Sequence, residues 1–167
     1  KNPEATADVF TEDGWFRTGD LGAMAEDGWI FIKGRLKNMI VGPSGENIYP
    51  EDIEEVLNSN RFVAESVVTE EDGKLIALVY FDTTALEEAY DEFKFKMSVG
   101  KEQLSLKMEE IKKEVLEYVN SKVNRFSKIT KVVDNEGEFE KTPTKKIRRF
   151  VYDRRNKDSK PEDVNKK

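Results

Sequence analysis

The sequence predicts an α+β fold, a small mixed layer domain of strands and helices with a β-hairpin ahead of it. Two observations predict it. Asp-Gly dipeptides interrupt aromatic and β-branched runs at Asp13-Gly14, Asp27-Gly28 and Asp72-Gly73, as in tight-turned hairpins. Between residues 85 and 124 the apolar positions instead recur every three or four residues, the period of a helix. No internal repeat runs through the chain.

The elements follow in order. Asp27-Gly28 centres a first hairpin whose second strand, Trp29 to Ile32 and beyond, ends at Gly34. Residues 38–41 read as a strand, followed by a loop with Gly42, Pro43 and Gly45. Pro50 suits the first turn of a helix, Glu51 and Asp52 suit its positive end, and Ile53, Val56 and Leu57 form its buried stripe. Residues 63–69 and 74–81 make a second hairpin about Asp72-Gly73. Leu86, Ala89, Tyr90 and Phe93 mark one helix face. After a break at Gly100, Leu104, Met108, Ile111, Val115, Tyr118 and Val119 mark another, and core packing explains both. Residues 129–133 form a short strand, Asn135-Glu136-Gly137 a turn, and residues 141–149 a basic loop. Residues 153–167 carry almost no apolar side chains and are expected to be a disordered charged tail.

Composition excludes several chemistries. The 167 residues contain no cysteine and no histidine, which removes disulfides, thiolate metal sites and every Ser-His or Cys-His nucleophile. A reducing compartment is permitted. A net charge of -6 argues against a nucleic-acid partner, whose binding face would be basic. No apolar run approaches the about 20 residues that span a bilayer, and no signal peptide is visible. The chain opens on Lys1, without an initiator Met, and is read as a piece of a longer protein.

Chemistry can sit in three segments. Asp20, in Thr18-Gly19-Asp20, can accept two ribose hydroxyl protons. Taken alone, the triplet is better read as an Asx turn in which Asp20 bonds its own backbone. Arg35, in Gly34-Arg35-Leu36-Lys37-Asn38, offers a rigid fork of donors for hydroxyl or phosphate oxygens, and Lys37 stands where a linker would be. Taken alone, those residues are better read as a solvated strand end. The loop around Lys145-Lys146 offers an ammonium that can neutralise charge as an acyl phosphate anhydride forms. It also fits a solvated basic run, or an RNA or lipid-headgroup patch extended by Arg154 and Arg155.

Together and in order, the segments resemble the acyl-CoA synthetase and adenylation-domain superfamily. The likeness runs through Gly14-Trp15-Phe16-Arg17-Thr18-Gly19-Asp20, Gly34-Arg35-Leu36-Lys37-Asn38, Gly45-Glu46-Asn47-Ile48-Tyr49-Pro50-Glu51-Asp52-Ile53-Glu54 and Thr142-Pro143-Thr144-Lys145-Lys146-Ile147-Arg148-Arg149. The Thr-Pro-Thr pattern is most like the long-chain fatty acid–CoA ligases. The resemblance implies that residues 1–36 end a large AMP-binding domain, that 37–152 are the small C-terminal domain, and that 153–167 trail behind it. It implies roles as well: Asp20 and Arg35 in nucleotide binding, Lys37 as hinge, Lys146 as the catalytic lysine of adenylation. Gly45, Glu46 and Asn47 fall in the loop presented to the CoA channel. The family's usual glycine before that lysine is Lys145 here, which leaves Lys145 open as the catalytic group.

The implied substrates are ATP with Mg2+, a fatty acid and CoA, and the implied partner is the enzyme's own large N-terminal domain. That domain would carry the phosphate loop, the magnesium segment and the acyl pocket. This piece by itself is expected to be inactive and to hold no metal or tightly bound cofactor, and the full enzyme to be cytoplasmic, peripheral to membranes at most. An aryl or shorter-chain CoA ligase, a carrier-loading adenylation domain and, more remotely, a non-catalytic interaction module are the competing readings.

Overall fold

The computed structural model describes residues 2–96 and 101–155. They form two units, one reaching Met39 and one beginning at Ile40.

The first unit holds α1 (Pro3–Asp8), β1 (Asp20–Met24) and β2 (Ile30–Arg35). Periodicity could not announce α1, because six residues are too few to show a stripe. It is set by its start: the Asn2 side chain accepts the Ala5 N–H at 3.2 Å and Pro3 supplies the first turn. β1 and β2 form the expected hairpin, antiparallel, with Met24 opposite Ile30 and Asp20 opposite Arg35.

The hairpin closes by a device that recurs. The Ala25 N–H donates to the Trp29 carbonyl at 2.8 Å and the Gly28 N–H to the Ala25 carbonyl at 2.9 Å, with Gly28 at φ +88°. Such a three-residue loop must end on a residue in the left-handed region. The same two hydrogen bonds close Thr11–Trp15 around Gly14, Gly42–Glu46 around Gly45, and Thr142–Lys146 around Lys145.

The second unit begins with β3 (Ile40–Val41) and β4 (Asn47–Ile48), paired antiparallel. The strand expected from residue 38 starts later, because the Asn38 and Met39 N–H groups both turn back to the Arg35 carbonyl, at 3.0 and 3.2 Å. Then come α2 (Pro50–Asn58), β5 (Val63–Glu71), β6 (Lys74–Phe81), α3 (Thr83–Lys96), α4 (Lys101–Lys122) and β7 (Lys131–Asp134). Asp72 and Gly73, both at positive φ, make the two-residue turn of the β5–β6 hairpin. β7 joins β6 in parallel, a pairing that requires a long crossover, which α3 and α4 supply. The expectations at Phe93, Gly100 and Leu104 lie outside the described residues and side chains.

Successive strand residues face opposite sides, so the sheet carries two apolar layers. On one side Val79 and Phe81 pack with Ile53 and Leu57 of α2 and Ile111, Val115 and Val119 of α4. On the other, Val67, Ile76 and Leu78 are covered by Phe139, Ile147 and Tyr152. The Phe139 and Tyr152 rings meet edge to face at 4.8 Å. The basic loop therefore springs from a segment pinned to the sheet at both ends. Residues 153–155, assigned by sequence to a tail, also hold to β5: Arg154 pairs with Glu71 at 3.2 Å. No helix among the described residues is long and apolar enough to cross a membrane.

Candidate functional site

In the first unit the structure brings Asp20 and Arg35 together. Facing each other across β1 and β2, they form an ion pair with Arg35 Nε 2.9 Å from Asp20 Oδ1, while another Arg35 nitrogen donates to the Thr18 carbonyl at 2.8 Å. The Asx-turn reading of Asp20 is not what forms. Thr18 Oγ1 accepts the Asp20 N–H at 3.1 Å, leaving the carboxylate to the guanidinium. The result is an exposed, oriented carboxylate whose geometry a charge-assisted bond fixes. Lys37, also exposed, lies on the turn after β2, just before the division between Met39 and Ile40.

In the second unit Gly45, Glu46 and Asn47 lie in and beside the β3–β4 loop. Glu46 folds back over that loop, its carboxylate accepting the Ser44 N–H at 3.0 Å. A Cβ on Gly42 would stand 2.1 Å from that carboxylate, so a larger residue there would push the Glu46 side chain off the loop. Beside it opens a cleft of about 280 Å3 lined by Ile40, Ile48, Leu75, Phe126, Lys74 and Lys128. The sequence reading had not singled out this cleft.

Lys145 and Lys146 occupy different places in their loop. Lys145 takes the left-handed position at φ +60°, where the three sister loops have glycine. Lys146 follows it, exposed, with its N–H on Thr142 Oγ1 at 3.2 Å and no ion-pair partner among the described residues. A side-chain-bearing residue in the left-handed region costs about 1–2 kcal/mol, part of which glycine returns as unfolded-chain entropy. Lys145→Gly is therefore expected to stabilise the 167-residue chain by about 0.5–1 kcal/mol, read as a raised urea midpoint at constant slope. A lowered midpoint would show that the Lys145 side chain contributes more than its backbone costs.

The feet of this loop are tied to the body of the unit, a feature the sequence reading missed. Lys141 Nζ lies 2.8 Å from Glu65 Oε1 on β5, a bond that raises the lysine above its ordinary range. Arg149 pairs with Glu54 on α2, whose other carboxylate oxygen accepts the Val68 N–H at 2.6 Å. Burial pushes the Glu54 carboxyl from 4.5 up to about 7, although Arg149 and the Val68 N–H both pull it down. The helical stripe Ile53, Val56, Leu57 had pointed to α2's buried face, but not to the acid sharing it. The sequence signal was a charge next to that stripe, with an unmatched arginine far along the chain. Among the described residues no group of three or more carboxylates gathers as a metal site.

No family model matches the chain. Individual relatives do. The chain is 42% identical over 88 residues to "Long-chain-fatty-acid--CoA ligase FadD15" of Mycobacterium tuberculosis, a match covering 52% of this chain and 14% of that protein. It is 34% identical over 151 residues to "2-methylpropanoate--CoA ligase CCL4" of Humulus lupulus, covering 90% of this chain and 24% of that protein. Among solved structures, an ATP-bound RpMatB-BxBclM chimera matches with a TM-score of 0.65 and 25% identity, over 93% of this chain and 28% of the chimera. The chain thus spans about a quarter or less of the length of these relatives. With the motif order, the hairpin-then-layer fold and these likenesses in agreement, the chain belongs to the AMP-binding, adenylate-forming acyl-CoA ligase family, and its partial coverage fits a C-terminal domain.

Proposed function

We propose that this chain is the C-terminal part of an ATP-dependent long-chain fatty acid–CoA ligase that works in the cytoplasm. In the first half-reaction a carboxylate oxygen of the fatty acid attacks the α-phosphorus of Mg-ATP. The bond to pyrophosphate breaks, giving an acyl-adenylate. In the second, the CoA sulfur gives up its thiol proton to solvent and attacks the acyl carbon, and AMP leaves with the C–O bond electrons. Lys146 neutralises charge on the carboxylate and α-phosphate in the first step, where that charge builds up. The observation that carries this role is its exposed ammonium, unpaired among the described residues, on a loop closed by its own backbone. Asp20, oriented by Arg35, takes the ribose hydroxyls, and Arg35 contacts the nucleotide. Lys37 is the hinge between the half-reactions, and the Gly45–Asn47 loop serves the CoA channel in the second. The large N-terminal domain supplies the remaining wall of the site and the acyl pocket, so this piece by itself is inactive.

The long-chain assignment rests on the likeness to a ligase named for long-chain fatty acids. A second reading, a short-chain acid, is favoured by the relative named for 2-methylpropanoate, which matches more of the chain. Acid-dependent pyrophosphate exchange by the full-length enzyme separates them, with a long-chain fatty acid, 2-methylpropanoate and an aryl acid tested side by side. The proposal expects the long-chain acid to give the highest kcat/KM. Exchange with a short or aryl acid alone would replace the substrate, and no exchange with any acid would remove the activity.

A further inference from the structure

We infer that Glu54 and Glu65, through Arg149 and Lys141, are positioning residues that aim Lys146: one ion pair stands at each foot of the loop Thr142–Lys146. The inference rests on the adenylation role proposed for Lys146 and deepens it. Lys141 precedes the loop and is held by Glu65 of β5 at 2.8 Å, with Glu138 as a second partner at 3.3 Å. Arg149 follows it and is held by Glu54 of α2. Between them the loop closes on itself by the Lys141–Ile147 bridge and the Thr142–Lys146 hydrogen bond.

The two anchors reach different elements, so together they restrict both the tilt and the swing of the loop. Fully exposed ion pairs would hold such a loop weakly. Here the Glu54 side chain is 9% exposed and is braced by the Val68 N–H, and Glu65 and Lys141 are 26% and 29% exposed. A long, flexible ammonium gains most from such bracing, because a displacement of about 1 Å at the reacting atoms can cost up to about 100-fold in rate. The simpler alternative is that these pairs merely fasten residues 139–152 to the sheet.

The test uses the full-length enzyme with Glu54→Gln, Arg149→Met, Arg149→Lys and Lys141→Met, each with Lys146 intact and in a Lys146→Ala background. Pyrophosphate exchange, KM for ATP and acid, thioester formation from pre-made acyl-adenylate, and Tm are measured for each. Exchange is expected to fall about 10-fold with either KM within about twofold and thioester formation nearly unchanged, with Arg149→Lys recovering part of the loss. In the Lys146→Ala background the same changes are expected to cost nothing further, since there is no ammonium left to aim. Losses that add to Lys146→Ala, or that strike both half-reactions in step with Tm, would reduce the anchors to structural fasteners and overturn the inference. Should Glu54→Gln or Arg149→Met fail to fold, Lys141→Met at the other foot decides by the same criteria. If Lys146→Ala by itself leaves exchange intact, the proposed role of Lys146 fails first, and the positioning role with it; anchor variants at wild-type exchange beside a crippled Lys146→Ala would remove the positioning role alone.

Discussion

Lys146→Ala in the full-length enzyme is expected to slow fatty-acid-dependent pyrophosphate exchange by about 100-fold or more and to leave thioester formation from pre-made acyl-adenylate within a few-fold. The magnitude follows from chemistry. Removing one preorganised charge donor from a developing anion typically costs about 100-fold to 1,000-fold, and 100-fold corresponds to about 2.7 kcal/mol of transition-state stabilisation. The asymmetry follows from the proposed swing about Lys37, which would carry Lys146 away from the reacting atoms before the thioester step. Lys145→Ala serves as the control. Its backbone sits in the left-handed position that three sister loops give to glycine. Both half-reactions staying near wild type in Lys146→Ala would assign the chemistry to Lys145 or to no lysine of this loop.

What was legible in the sequence was whatever depends on neighbours along the chain. Asp27-Gly28 and Asp72-Gly73 placed both hairpins because turn geometry is decided within a few residues. Met108, Ile111, Val115 and Val119 placed α4 against the core because a stripe at helical spacing has one place to go. Pro50 placed the start of α2 for the same local reason. Less legible was whatever depends on contacts between distant residues. The parallel pairing of β7 with β6 joins Ile76 to Lys131, far apart in the chain, and nothing in the run from Ile129 to Val133 shows which strand it will meet. Glu54 and Arg149 are 95 positions apart, and each reads as an ordinary surface charge until the fold brings them together. Asp20 and Arg35 lie between these cases. Hairpin register pairs them, and a register counted outward from Asp27-Gly28 comes close to it, but the shift between Leu21 and Gly22 had to be seen. Lys145 was conspicuous in sequence as a departure from the family pattern, and its physical meaning came only with the backbone angle.

Ile32→Asp is expected to have very different consequences in the two contexts where it can be made. In the 167-residue chain it should change stability by less than about 0.5 kcal/mol, since the Ile32 side chain is 75% exposed. In the full-length enzyme it should cost about 3 kcal/mol or more, read as a lowered Tm and lost exchange activity. The reason lies in the first unit's surface. Trp15, Met24, Trp29, Ile30, Phe31 and Ile32 are all exposed, and alternation along β2 puts Phe31 on the face opposite Ile30 and Ile32. A two-stranded hairpin with both faces apolar cannot bury either face by itself, and hairpins of that size are marginal in water without something packed on them. An exposed apolar cluster of this extent marks a surface that another body covers. The proposed occupant is the large N-terminal domain, of which residues up to 36 would be the closing hairpin. Under that packing the carboxylate introduced at this position would be taken out of water without a partner, a change whose desolvation penalty alone is several kcal/mol. Equal insensitivity in both contexts would mean that the Ile30 and Ile32 face stays in water in the full enzyme, and the covering domain would then have to lie on the Phe31 side.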